Sequence, residues 1–551
     1  MEHHKPQATL ATHEVTNQPP PFLGVSLFSD DDALVGAVRS FSADDHVDDL
    51  SQYGARCGSA EVQEWGDEAN RQKPELINFD RYGHRVDEVR FHPAYHKLLD
   101  LGLSAGVSGG AWRAEKNGHV LHAGLMYLTP SFDCGVCCPM SMTYAAVPAL
   151  RHDKGVAEEW VPRVTALEYD QRFLPAAEKR SATLGMAMTE KQGGSDVRAN
   201  TTRAEKTQDG WRLTGHKWFC SAPMSDAFLT LAYTDKGMTC FLVPRWTPDG
   251  ERNQLLVMRL KNKMGDHSNA SSEIEYHGAF AWKLGEEGRG VPTIIDMVQH
   301  TRLDCVVGSA GSMRTMLARA LWHTSHRTAF QRTLIDQPAM RRTLADLVVE
   351  SEAAIALTFR LAGAFDRAAV DPAQAAFTRL ATPLAKYWVC KRQPNFAYEA
   401  LECFGGAGFI EEAPMARYFR ASPLNAIWEG SGNVIALDVL RALSREPEAI
   451  EAVNDEFRKA LGTNAHYDHH VERLSRWFCP GALDQSTARR FAEDMGLALS
   501  AVALRETAPD FVFDAYCNAR LDVEERGLGY GATAAKMDED ALLNRASFGS
   551  S

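Results

Sequence analysis

The sequence predicts an α+β fold that is mainly α. Its order is an N-terminal helical domain, a central antiparallel β-barrel, a C-terminal helical bundle and an extra C-terminal helical domain. Three observations carry this. Short runs rich in aromatic and β-compatible residues follow one another from Trp211 to Trp282, with no long helix between them. Strands that follow one another in this way pair antiparallel. From Met340 to Phe365, apolar residues return at Leu344, Leu347, Val348, Ile355, Phe359 and Ala362, the 3.6-residue period of a bundle helix. The stretch from about 30 to 180 is mostly helical in pattern, punctuated by Pro and Gly.

Taken in order, residues 1–24 carry His3, His4, His13 and the run Pro19-Pro20-Pro21, which reads as an extended arm. Residues 25–180 form the helical domain. Within it Ser141 to Leu150 and Ala157 to Leu167 read as helices, with Pro139 near a helix start. Residues 181–288 form the β domain. There Asp209-Gly210 turns the chain into a strand over Trp211 to Cys220, and Asp226 to Tyr233, Met238 to Pro244 and Glu273 to Trp282 continue it. The bundle covers 289–445, with further helices over about 373–404 and 433–445. Helical sequence fills 446–551. For 551 residues, the prior of roughly 150 residues per domain gives about three to four domains.

Composition excludes several classes. With 45% hydrophobic and 24% charged residues, the chain is globular rather than collagen-like or disordered. No apolar run approaches the length of a membrane span, and the start, MEHHKPQATL, has no signal-peptide core. Eleven scattered cysteines predict free thiols in a reducing, cytoplasmic chain. Cys134, Cys137 and Cys138 have no second pair to complete a tetrahedral site, so no metal is expected. The net charge is −13, which favours solubility over attraction to nucleic acid. Residues 446–551 hold 11 Lys and Arg against 19 Asp and Glu, a net of −8. Gly527-Leu-Gly529-Tyr-Gly531 follows no strand, so it does not make a Rossmann dinucleotide site.

Five segments carry chemistry. Met186 to Val197 joins Gly193-Gly194 to the hydroxyls of Thr189 and Ser195, which suits a phosphate or a heterocycle edge; a surface turn would leave the same pattern. Gly215 to Ser221 puts Trp218 and Phe219 on a strand, as the wall of a flat cofactor or as ordinary core. His326 to Pro338 offers Arg327 to a pyrophosphate and Phe330 to an adenine; standing alone, the segment reads rather as a solvated Arg on a helix. Glu402 to Phe409 is Gly-rich. Ile427 to Val434 sets Glu429 between Trp428 and Gly430 at a helix start. Desolvation there would raise its pKa toward that of a useful base; a capping carboxylate is the alternative.

In this order and spacing, the five segments resemble the acyl-CoA dehydrogenase family of flavoproteins over roughly residues 80–445. The family's helical, β-barrel and four-helix-bundle architecture fits the predicted order. The resemblance implies FAD as cofactor and an acyl-CoA or related small molecule as substrate. It implies that Met188, Thr189, Gly194 and Ser195 lie over the flavin, with Trp218, Phe219, Cys220 and Ser221 beside its ring. Arg327, Phe330 and Gln337 would reach the FAD of a neighbouring subunit. Gly405 and Gly406, with Glu402 where Gln is usual, would hold the adenylate side. Ile427, Trp428, Ser431 and Asn433 would cap the cofactor, and Arg302 and Gly430 would face substrate. Glu429 would be the catalytic base, because Thr301 occupies the place where a sub-group carries an alternative Glu.

The match is closer to the family's AidB-like branch, tied to the adaptive response to DNA alkylation. It rests on TEKQGGSDV, with Lys191-Gln192 where Pro-Gly is usual, on FHPAYH at 91–96, on His267 to Ser271, on IWEGSGN and on the C-terminal extension. That branch implies a homotetramer with weak dehydrogenase activity and binding of double-stranded DNA through a basic C-terminal region. Here that region is acidic, though Arg473, Arg476, Arg489 and Arg490 could line one face.

Overall fold

A computed structural model describes residues 6–548; His3 and His4 lie outside them. Residues 6–24 carry no helix, but they are strapped to the body. Trp322 donates its indole N–H to the Pro20 carbonyl at 2.8 Å, and Phe22 packs on both Trp322 and Phe548.

Eight helices and one hairpin follow. They are α1 (Asp32–Ser42), α2 (Val47–Cys57), α3 (Ala60–Arg71), the antiparallel pair β1 (Glu75–Phe79) and β2 (Arg85–Arg90), α4 (Pro93–Ala105), α5 (Gly110–Arg113), α6 (Gly118–Leu128), α7 (Cys137–Leu150) and α8 (Lys154–Val164). Asp31 caps α1 by accepting from the Leu34 N–H, the side-chain rescue that an exposed helix start requires. The hairpin is the one β element in a domain that is otherwise helical.

The β domain holds β3 (Leu184–Ala187), β4 (Arg203–Lys206), β5 (Trp211–Ser221), β6 (Ala227–Thr234), β7 (Gly237–Pro244), β8 (Leu255–Leu260) and β9 (Ser271–Leu284). The ladder runs β6–β7–β9–β5–β4, all antiparallel. A parallel bridge between Arg203 and Tyr233 returns β4 to β6 and closes the barrel. β3 also pairs with β6 in parallel, the one strand-length departure from the antiparallel expectation.

Past the barrel, α9 (Gly290–His326) leads through a two-residue hairpin, β10 (Thr328–Ala329) and β11 (Arg332–Thr333), into α10 (Pro338–Ala368). Next come α11 (Pro372–Glu402), α12 (Met415–Ala421) and α13 (Gly432–Arg445). The four bundle helices are α9, α10, α11 and α13. The C-terminal segment forms α14 (Pro447–Arg458), α15 (Ala465–Leu474), α16 (Ala488–Thr507), α17 (Asp510–Tyr516) and α18 (Glu539–Ala546). Gly527 to Gly531 lies in the coil between α17 and α18. One apolar core runs through the N-terminal helices, the bundle and the C-terminal helices. Helices α16 and α11 approach so closely at Gly496 that a Cβ there would stand 2.7 Å from Trp388 Cβ.

Candidate active site

Glu429 lies in the short loop before α13, at φ +55°. This left-handed conformation is strained for any residue but Gly, and it persists only where neighbours enforce it. Two cations do so, Lys386 buried and Arg302 partly buried. Lys386 on α11 donates to the Trp428 carbonyl at 2.8 Å and also to the Gly430 carbonyl. Arg302 on α9 donates to the Glu429 carbonyl at 3.2 Å. Three successive carbonyls are thus held from two helices, and the carboxylate is aimed by its backbone.

The carboxylate itself meets Thr301, whose hydroxyl donates to Glu429 Oε2 at 2.8 Å. Burial raises the Glu429 pKa above the ordinary carboxylate value; the Thr301 hydrogen bond and the charges of Lys386 and Arg302 offset only part of that rise. Trp428 fixes the loop from the other side through Asn425, at 2.9 Å. Arg302, expected to face substrate, has its guanidinium on Asp438 at 2.7 Å as well as on the loop, which lets it position Glu429.

A second wall comes from the segment after β3. The Trp218 N–H donates to the Thr189 carbonyl at 2.7 Å, which joins the loop to β5. Beneath it lies an ion pair, Lys217 to Glu190 at 2.9 Å, with both side chains fully buried. Thr202 and Gln192 also donate to the Glu190 carboxylate. Burial opposes ionisation of Glu190, but Lys217 and these hydrogen bonds outweigh it and lower its pKa to about 2.

The strand is bulged beside this pair. Lys217 pairs with Ile274 and Cys220 with Ser272, so β5 spends one residue more than β9. Such a bulge re-aims side chains. Lys217 and Cys220 both point into the barrel, while Trp218 and Phe219 both point out. Cys220 is therefore corrected: its buried thiol belongs to the core and cannot wall a cofactor. Lys261 Nζ stands 3.1 Å from the Trp218 ring centroid. Ser221 and Ser271 share a hydrogen bond at 2.8 Å. Met188 and Trp428 pack on one apolar cluster with Cys138 and Tyr144, so these two walls share a floor.

Behind Thr301 lies a cluster that no motif announced. His122 bonds Asp304 at 2.6 Å and stacks on Tyr144, while His119 bonds the Tyr144 hydroxyl at 2.7 Å. Burial lowers the pKa of His119 well below its ordinary value, and that of His300 as well, so both are neutral near pH 7. The FHPAYH and His267 to Ser271 segments also meet, through Tyr95 OH and Asn269 Oδ1 at 3.3 Å.

The remaining predicted residues lie elsewhere. Arg327 donates to the Asn17 carbonyl at 2.6 Å and Gln337 to the Ala329 carbonyl at 3.0 Å. Phe330 is 92% exposed, at φ +53° in the hairpin turn. Gly405 and Gly406 are exposed, with open space where a Cβ would stand, next to Phe404, which stacks on His323. Glu402 ends α11 close by, and it is exposed. From Thr301 to Arg327 along α9 is about 39 Å at 1.5 Å per residue. The predicted residues therefore form two groups near opposite ends of one helix. Ile427 is 61% exposed. Ser431 precedes α13 without a side-chain cap bond, and Asn433 is exposed on its first turn.

Comparison with known proteins matches three family descriptions in chain order. They are the adaptive response protein AidB N-terminal domain over residues 17–171, the acyl-CoA dehydrogenase middle domain over 185–279 and the acyl-CoA dehydrogenase C-terminal domain over 288–444. The chain is 40% identical to the putative acyl-CoA dehydrogenase AidB of Escherichia coli strain K12, over 98% of this chain and 99% of that one. It is 32% identical to acyl-CoA dehydrogenase family member 11 of Caenorhabditis elegans, over 77% of this chain and 71% of that one. Among solved structures, Caenorhabditis elegans ACDH-11 in complex with C11-CoA superposes with a TM-score of 0.85 at 26% identity, over 98% of this chain and 97% of that one.

Proposed function

Because the chain belongs to the acyl-CoA dehydrogenase family, as an AidB-like oxidoreductase, we propose that it removes hydrogen from adjacent carbons of an acyl-CoA thioester with Glu429 as the base. The observation that carries this is the aimed carboxylate: Glu429 is strained, desolvated and hydrogen-bonded to Thr301 at 2.8 Å. Members of the family are FAD-dependent, and FAD, when bound, supplies the acceptor of the β-hydride.

This chain's residues fit that group. The out-turned Trp218 and Phe219 offer a flat wall, and the hydroxyls of Thr189 and Ser195 have no hydrogen-bond partner among the described residues. Gly405 and Gly406 leave room for close approach. In this reading Met188, Thr189, Gly194, Ser195 and Ser221 line the ring, and Ile427, Trp428, Ser431 and Asn433 cap it. Glu429 takes the α-proton. Its raised pKa makes the ionised form a stronger base, and Thr301 keeps enough of it ionised. Arg302 and Lys386 hold its backbone, and Gly430 gives the loop room.

The two groups at opposite ends of α9 serve one cofactor only across a subunit boundary. That supports a homotetramer in which Arg327, Phe330, Gln337, Glu402, Gly405 and Gly406 complete a neighbour's site. Free thiols support a cytoplasmic setting, and among the described residues no helix is long and apolar enough to cross a membrane. Anaerobic titration of the purified yellow protein with acyl-CoAs of differing length and branching tests the reading. Bleaching of the flavin by at least one of them is expected, and bleaching by none would sink it.

A second reading, association with double-stranded DNA in the alkylation response, draws on Arg473, Arg476 and Arg490, which gather at α15 and α16. Two of them are spent on one buried carboxylate: Arg476 and Arg490 pair with Asp494 at 2.6 and 3.0 Å. Arg489 turns to the Tyr387 hydroxyl. Neutralised phosphates make affinity fall steeply with salt, so duplex binding measured across salt decides this reading. No binding near physiological salt would refute it.

A further inference from the structure

Asn17 of the N-terminal arm meets the hairpin between α9 and α10 across 311 residues of sequence. Its side-chain amide serves Thr328 from both ends. Asn17 Nδ2 donates to the Thr328 carbonyl at 2.9 Å, while Oδ1 accepts from the Thr328 backbone N–H at 2.8 Å and from its hydroxyl at 2.9 Å. The Asn17 carbonyl takes a fourth bond, from Arg327 Nη1 at 2.6 Å. Asn17 sits at φ +56°, which Asn tolerates better than most residues, and its amide presents a donor and an acceptor side by side. The arm is itself anchored nearby: Trp322 on α9 donates to the Pro20 carbonyl and packs on Phe22.

The hairpin depends on such a grip. Its turn residues, Phe330 and Gln331, both have positive φ, +53° and +63°, a form that favours Gly and Asn. Strained backbone of this kind persists where its surroundings over-determine it. Thr328 and Ala329 pair with Thr333 and Arg332, and a lone ribbon of two strands is at best marginally stable. Gln337 pins it from the α10 side, at the Ala329 carbonyl. Asn17 pins it from the arm side, at Thr328.

The pinned hairpin presents two side chains. Phe330 is 92% exposed at the turn. The Arg327 guanidinium is bonded to a neutral carbonyl, so its charge stays available to an anion.

We propose, on the reading that Arg327 and Phe330 serve a neighbour's FAD, that Asn17 is the positioning residue for the adenylate half of that cofactor. By fixing Thr328 it holds Arg327 and Phe330 in the posture that meets the pyrophosphate and the adenine. A hairpin already held in place loses less freedom when its ligand docks. The grip therefore acts on affinity for the part of FAD that FMN lacks.

Equilibrium exchange of bound FAD for FMN is measured on the full-length holoprotein, with the protein-bound flavin quantified by chromatography. Asn17→Gly keeps the left-handed backbone and removes the amide. It should shift the exchange toward FMN by about tenfold, with the Tm of the FMN-loaded protein unchanged. Arg327→Gln removes the charge itself and should shift the exchange as well. An unshifted exchange in Asn17→Gly, including equal loss of both flavins as a merely structural role would give, overturns the proposal. If Arg327→Gln still shifts the exchange, only the positioning role of Asn17 falls. If neither variant shifts it, the hairpin does not serve FAD, and the reading beneath the proposal falls with it.

Discussion

The hydroxyl of Thr301 lies 2.8 Å from Glu429 Oε2 and 3.1 Å from the Val298 carbonyl. Those two acceptors let one hydroxyl serve both protonation states. When Glu429 is ionised, Thr301 donates to it. When Glu429 has taken a proton, Thr301 turns its own proton to Val298 and can accept from the carboxyl. The position that lacks a second base thus supports the base that is present.

Removing that hydroxyl should shift the titration of Glu429. The hydrogen bond favours the ionised form, so Thr301→Val raises a pKa that burial has already lifted. A hydrogen bond to a charged group is worth about 1.5–3 kcal/mol, or about one to two pH units. The acid limb of the pH profile for flavin reduction should move to higher pH by about that much. An unmoved limb with unchanged rates would show that Thr301 does not act on the base.

Lys217 and Glu190 form the support under the second wall. Lys217→Met leaves Glu190 buried without its counter-ion, and breaking a buried pair in this way costs about 3–5 kcal/mol. Denaturant unfolding should show a loss of that size. The pH dependence has a definite sign. Glu190 has its pKa lowered to about 2 in the folded protein, so its contribution is present above its unfolded pKa of about 4.3 and fades as pH falls from there toward 2. The stability gap between wild type and Glu190→Gln should therefore narrow as pH falls from about 4.3 toward 2 and stay constant above about pH 5.

The C-terminal helices should not separate from the bundle. Glu350 on α10 accepts from Arg392 on α11 and from Arg520 after α17, at 3.0 and 2.8 Å, inside a continuous apolar core. Burial works against ionisation of Glu350, but the two arginines prevail and lower its pKa to about 2. Glu350→Gln strands Arg392, while Arg520 keeps Asp346 at 2.6 Å, and should lower stability by about 3 kcal/mol. Bundle and C-terminal helices should melt in one transition, as followed by calorimetry; two resolved transitions would contradict the shared core.

Much of the fold was legible because it is local. The period of α10 is written in Leu344, Leu347, Val348 and Ile355, and β5, β6, β7 and β9 are long enough to show their character. By contrast β3 has four residues and β4 reads Arg-Ala-Glu-Lys; both are strands only because β6 and β5 stand beside them. The bulge at Trp218 and Phe219 is a count against β9, invisible along β5 alone. The site divides in the same way. Glu429 stands out through its neighbours Trp428 and Gly430, whereas its contact with Thr301 spans 128 residues. The positioning role of Arg302 needs Asp438, and the burial of Cys220 needs the bulge.

The most direct test of the account is the anaerobic reduction of the bound flavin by the best acyl-CoA, in wild type and in Glu429→Gln. General base catalysis contributes about 10²–10⁴-fold. The rate of bleaching should fall by at least the lower figure, with the flavin content and the acyl-CoA affinity kept. Bleaching at the wild-type rate in Glu429→Gln would contradict the assignment of Glu429 as the base.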